Sequence, residues 1–166
     1  MPKIKKPLAD NLKGAKKIAI LGVGSSLRGD DAAGLLVAEA LKRELKSRKA
    51  RVFFGETAPE NLTGAIKKFN PTHLIIIDSA DLKERPGSVR IFSPEYVGGI
   101  SFSTHSLPLK LMAEYLLNSI SCKTVILGIQ PAAIKFNSPV SREIKAAVKA
   151  LSRQIKEALC ISTTKR

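Results

Sequence analysis

The chain has 166 residues, 44% hydrophobic and 25% charged, which suits one globular domain long enough to bury a core without staples. Lys and Arg number 28 against 14 acids, a formal charge of +14 and a sequence pI near 10.0. The balance invites a polyanionic partner, but aromatics make up only 5% with no Trp, which excludes an interleaved aromatic and basic platform for stacking bases. The bases are spread over Lys3–Lys17, Lys42–Arg51 and Lys135–Arg166. A solvated basic surface, or attraction to an acidic protein partner, is therefore expected in preference to a dedicated nucleic-acid site.

Read in chain order, residues 1–16 are rich in Lys and Pro and lack an apolar h-region. They predict a flexible basic arm, not a secretory signal, at the start of a single domain over 1–166. Lys17–Val23 is an apolar run stopped by Gly22 and Gly24, hence a strand. Asp31–Lys46 carries Leu35, Ala38, Leu41 and Leu45 at helical spacing, with acids at its start and bases at its end. Arg51–Phe54 predicts a second strand, and Glu60–Phe69 a helix closed by Asn70-Pro71. Thr72–Ile77 is the most apolar β-branched run and predicts the central strand.

Pro86-Gly87 turns into Ser88–Phe92, a less buried and antiparallel strand. Residues 93–104 predict a loop ending at His105, and Leu107–Leu117 a helix entered through Pro108. Lys123–Ile129 predicts the last strand. Ser141–Leu159 predicts a long amphipathic helix with Ile144, Val148, Leu151, Ile155 and Leu159 on one face. The alternation describes an α/β fold, a three-layer α/β/α sandwich around a mostly parallel sheet of about five strands. No apolar run approaches the ~20 residues of a membrane span. Two cysteines without CxxC or zinc spacing suit a reduced, cytoplasmic protein.

Three positions carry chemistry: Asp31 after the first strand, Asp78 ending Leu-Ile-Ile-Ile-Asp, and His105. Strand exits gather at one edge of an open α/β sheet, where ligands bind. Two carboxylates and an imidazole there make a metal site with open positions. Helix capping is the plainer role for Asp30 and Asp31, and one can cap while the other faces the cleft. A carboxylate at the rim of a buried strand, as expected for Asp78, must be paired or coordinated. Asp81 belongs to the following turn, and His73, at the opposite strand end, is structural.

Gly22-Val-Gly24 fails as a dinucleotide fingerprint because the third glycine falls at Leu27. Ser25, Ser26, Ser79, Ser103 and Thr104 lie near the proposed edge without a G-x-S-x-G elbow. Cys122 and Cys160 are poorly placed for a Cys/His hydrolase.

The ordered stretches Gly22-Val-Gly24-Ser-Ser-Leu27-Arg-Gly-Asp30-Asp31-Ala-Ala-Gly34, Thr57-Ala-Pro-Glu-Asn61, Leu74-Ile-Ile-Ile-Asp78-Ser-Ala-Asp81, Ser103-Thr-His105-Ser-Leu-Pro108 and Leu127-Gly-Ile-Gln-Pro131 carry a family resemblance. The chain resembles the hydrogenase maturation endopeptidases, and within them the members serving formate-linked, membrane-associated hydrogenases. The resemblance implies a protease that trims the C-terminus of a NiFe hydrogenase large-subunit precursor. It implies recognition of nickel already loaded in that precursor, through residues matching Asp31, Asp78 and His105. The metal is carried by the substrate, no organic cofactor is implied, and a monomer is expected.

Nickel would serve as Lewis acid or as a ruler that positions the peptide, with Asp31 or Asp78 as the general base. Two positions depart from the family pattern: Ser25 stands where Asn is usual, and Phe54, ahead of Gly55-Glu56, where many members have Asp. Two alternatives stand beside this reading. One is a peptidyl-tRNA-hydrolase-like enzyme, which suits the charge but needs an Asn beside His105. The other is a nickel-sensing assembly chaperone that leaves the precursor intact.

Overall fold

The β-branched run 72–77 lies in the middle of the sheet. In the computed structural model, which describes residues 3–94, 101–102, 111, 114–116 and 118–164, residues 73–77 of this run belong to β3, His73–Asp81. The other strands are β1 (Ile18–Val23), β2 (Ala50–Glu56), β4 (Val89–Phe92), β5 (Ser101–Phe102) and β6 (Lys123–Ile129). Their order is β2-β1-β3-β6-β4, with β5 paired to β3. β2, β1, β3 and β6 run parallel. β4 is antiparallel to β6 at the edge, as its weaker burial pattern predicts.

Period-two alternation splits each central strand between two apolar layers. Ile18, Ile20, Ile75, Ile77, Val125 and Leu127 pack on one face, while Leu21, Leu74, Ile76 and Ile126 pack on the other. The first layer is closed by α1 (Lys5–Asn11), α2 (Ala33–Glu44) and α4 (Arg142–Thr164). The second is closed by α3 (Thr63–Phe69) and by the helical residues around Leu116. This is the expected three-layer α/β/α arrangement. Among the described residues, no helix is long and apolar enough to cross a membrane.

Two expectations need correction. The flexible arm expected over 1–16 is, at Lys5–Asn11, a docked helix: Ile4, Leu8 and Leu12 follow a four-residue spacing, and all three are buried. Gln154 Oε1 accepts from the amides of Ile4 and Lys5 at 2.8 and 3.2 Å, and Lys5 Nζ lies 2.9 Å from Glu157. Pro7 does not break α1 because it falls in the first turn, where its missing N–H has no helical partner to lose.

The second correction concerns Asp78, which lies inside its strand. β3 continues because Ala80 and Asp81 pair with Phe102 and Ser101 of β5. Asp78 itself pairs with Gly128 of β6, and its side chain, expected at a rim, is fully enclosed.

Candidate active site

The chain order of the strands brings the site together. From β1 the chain passes through α2 to β2 on one side. It then returns through α3 to β3 on the other side of β1. The crevice between the C-terminal ends of β1 and β3 is therefore the topological switch point, the usual ligand site of an open α/β sheet. Asp31 enters it from the 3-10 turn Gly29–Ala32 that leads into α2, and Asp78 from β3, opposite Gly128 of β6.

Glycines let the turn approach this closely. A Cβ on Gly24 (φ +135°) would lie 1.9 Å from the Asp31 carbonyl oxygen. A Cβ on Gly34 would lie 2.2 Å from the Ile77 carbonyl and 2.4 Å from that of Val23. The start of α2 thus rests directly on the backbone of both strands. Backbone contact of this kind explains the Gly-x-Gly-x9-Gly spacing without any nucleotide.

Asp31 and Asp78 are completely buried. Ser79 Oγ donates to Asp31 Oδ1 at 2.9 Å, and Ser79 N donates to Asp78 Oδ1 at 2.8 Å. Asp78 Oδ2 finds no hydrogen-bond partner among the described residues. Burial, reinforced by the Asp31 charge, pushes the Asp78 carboxyl up to about 8, against the smaller opposing effect of the Ser79 amide. Isolated Asp78 therefore keeps its proton at neutral pH. A carboxyl held this way, with an orphaned oxygen beside a second acid, is suited to exchange its proton for a cation.

Asp30 has a different task. Its Oδ2 accepts from Ala132 N (2.8 Å), Ala133 N (3.2 Å) and Ser141 Oγ (2.9 Å), and its Oδ1 from Ser141 N (2.7 Å). The expected helix capping is not found at its own end of the chain, since neither the 3-10 turn nor α2 has a side-chain cap. Asp30 instead ties down the loop leading to α4, whose Ser141 receives the Ile144 amide at 3.3 Å. Asp30→Ala should leave four part-buried donors without their acceptor and destabilise the fold by about 3 kcal/mol, measured by urea unfolding. Asp30→Asn, which retains acceptor capacity, should cost less.

A cleft of about 500 Å³ opens at the same edge, lined by Gly24, Ser25, Ser26, Leu27, Phe54 and Glu56 among others. A register shift opposite Gly22 and Val23 brings Glu56 beside Val23. Glu56 has φ +48°, and its carbonyl accepts from Gly24 N at 2.9 Å. Leu27 and Phe54 are 62% and 39% exposed. Both positions that depart from the family pattern, 25 and 54, line this cleft. Ser25 Oγ accepts from Leu27 N at 3.3 Å, a local turn contact and not an activated nucleophile.

His105, Ser103 and Thr104 lie outside the described residues, so the structure brings together only Asp31 and Asp78 of the expected metal triad. No group of three metal-binding side chains occurs among the described residues. His73 is buried at the far strand end, its Nδ1 3.0 Å from Thr72 Oγ1. Burial, followed by the Lys123 charge, lowers its pKa, as suits a structural imidazole. Burial pushes the Cys122 thiol up to about 11, far from nucleophilic range. Ser79 and Asp30 are the contributors that pattern reading missed. Ser79 showed only as a serine near the edge, and Asp30 only as half of an acidic doublet.

A family model described as hydrogenase maturation protease matches residues 35–158. The chain belongs to the hydrogenase maturation protease family. A Methanocaldococcus jannaschii protein provisionally named for this family is 38% identical over 149 residues, 86% of this chain and 88% of its own. The hydrogenase 3 maturation protease of Escherichia coli is 36% identical over 137 residues, 82% of this chain and 86% of its own. The crystal structure of the NiFe hydrogenase maturation protease HycI from Thermococcus kodakarensis superposes with a TM-score of 0.86 at 32% identity, over 93% of this chain and 99% of that one. As a maturation protease, the chain is a peptide-bond hydrolase acting in hydrogenase assembly, and its family is not that of the peptidyl-tRNA hydrolases.

Proposed function

We propose that this maturation protease removes the C-terminal extension of a NiFe hydrogenase large-subunit precursor and recognises the nickel already bound there. The observation that carries the reading is the buried Asp31–Asp78 pair, with Asp78 Oδ2 unpartnered among the described residues. Two adjoining carboxylates in a dry crevice are unfavourable without a proton or a cation between them. Substrate-borne nickel would displace the Asp78 proton and take Asp31, Asp78 and His105 as ligands. Nickel held in this way brings the adjoining peptide to the cleft lined by Leu27, Phe54 and Glu56. The acid that many members have at position 54 is absent, and the Glu56 carboxylate lies two residues on in the same cleft. Water for the cut is activated by one of the two aspartates.

The reaction belongs in the cytoplasm under this reading, where precursors are loaded. Cys122 and Cys160 form no disulfide, in keeping with a reducing compartment.

Incubation with nickel-loaded and nickel-free precursor, followed by intact mass measurement, tests the proposal. The loaded precursor should lose a C-terminal peptide and the nickel-free one should stay whole. Binding of the loaded precursor without mass loss would make the protein an assembly chaperone instead. Cutting of both would remove nickel from recognition. Protein purified without added metal should hold substoichiometric nickel and zinc, because loop ligands with open positions make a weak site. One zinc per chain would make it an ordinary zinc peptidase.

A further inference from the structure

We infer that Phe136 and a basic ridge on α4 form the docking surface for an acidic face of the precursor protein, outside the cleft that receives its tail. The inference rests on the precursor being the substrate. Arg142, Lys145, Lys149 and Arg153 follow one another at three- and four-residue steps along α4, on the side opposite its buried Ile144, Leu151 and Ile155. All four are exposed, and none has an ion-pair partner among the described residues. Neighbouring charges are already matched: Lys156 pairs with Glu44, and Lys5 with Glu157. Glu143 flanks the ridge. These four cations form a continuous row about 17 Å long on one exposed helix face.

The ridge is continuous with the site. Its first residue follows Ser141, which Asp30 holds beside Asp31. Between ridge and cleft lies the loop 131–141, whose Asn137 amide donates to the Leu27 carbonyl at 2.8 Å. That loop presents Phe136, 70% exposed. An aromatic anchor bordered by charges is the usual anatomy of a protein interface. On the exposed side of α4, alanines 146 and 150 lie between the cations. The row of cations itself carries neither a bulky apolar residue nor an aromatic, and its place beside the cleft favours the substrate protein over a membrane or nucleic acid. Its charge complements an acidic protein surface.

The test uses the full chain and nickel-loaded precursor, with binding and cutting measured separately. A Lys145→Glu, Lys149→Glu, Arg153→Glu variant should raise both Kd and KM about tenfold or more at low salt, with kcat little changed and the gap closing at high salt. Phe136→Ala should raise Kd about tenfold in either salt. A control with Lys16, Lys68 and Lys123 changed to Glu, equal in charge change but away from α4, should stay within about twofold. Equal losses in ridge and control variants would reduce the effect to net charge and overturn the inference. So would unchanged binding in the ridge variant, or ridge-dependent binding to duplex DNA or phosphatidylserine vesicles but not to precursor. Ridge-dependent binding without cutting would overturn the functional reading and leave the docking surface standing. Normal cutting with a silent ridge would do the reverse.

Discussion

Asp78→Asn is expected to abolish processing, with a fall of at least about a hundredfold, while the isolated protein keeps its fold. Asn presents an acceptor oxygen to the Ser79 amide, which now donates to Asp78 Oδ1 at 2.8 Å, and it is nearly the same size, so no cavity forms. What disappears is the carboxylate that would take a cation. Stability should change with the opposite sign. Burial and the Asp31 charge raise the Asp78 carboxyl from 3.8 to about 8. The folded state therefore binds more protons than the unfolded chain between those values, and stability falls as pH rises through that window. Asn carries no such proton. In metal-free buffer the variant and the parent should unfold at similar urea concentrations near pH 4, and the variant should be more stable by about 2 kcal/mol or more near pH 9. A variant that is inactive and less stable at both pH values would mean that Asp78 holds the fold and not the chemistry.

Gly34→Ala is expected to damage both fold and activity. The added Cβ would sit 2.2 Å from the Ile77 carbonyl and 2.4 Å from the Val23 carbonyl. Both are main-chain atoms of central strands and cannot rotate away. The start of α2 would have to lift from the sheet, and it carries the turn that places Asp31. A destabilisation of about 3 kcal/mol or more is expected from this overpacking, read by urea unfolding, together with loss of processing. Gly64→Ala is the matching control. Gly64 lies in α3 with nothing within 4 Å of the added carbon, so alanine should stabilise by up to about 1 kcal/mol through helix propensity. Similar losses in both variants would refute the close-approach explanation.

These expectations join the fold to the reaction. A site made of two enclosed acids at a switch point needs a helix start pressed onto two strands. Glycines allow the approach, Ser79 orients one acid, and Asp30 holds the neighbouring loop so that the edge keeps its shape. Under the proposed function, the cleft and ridge extend outward from this centre towards the precursor.

The amino-acid sequence by itself determined the layers. Period-two and period-3.6 patterns are local, so Ile18–Val23, Lys123–Ile129 and the Ile144–Leu159 stripe could be read directly, as could the central place of the β-branched run at 74–77. The glycine and aspartate spacings also pointed to the family. Tertiary structure alone decided the rest, because the deciding contacts join residues far apart in the chain. Asp30 meets partners 102 to 111 residues away, and nothing in an Asp-Asp doublet says which acid will do so. Ile4 and Lys5 find Gln154 about 150 residues on, which turned an apparent arm into α1. Asp78 lies within β3, paired with β6 at Gly128 and fully buried, and its orphaned oxygen and retained proton follow from that burial. Local pattern sets which residues face the core, but only the packed sheet decides which acids share a dry crevice.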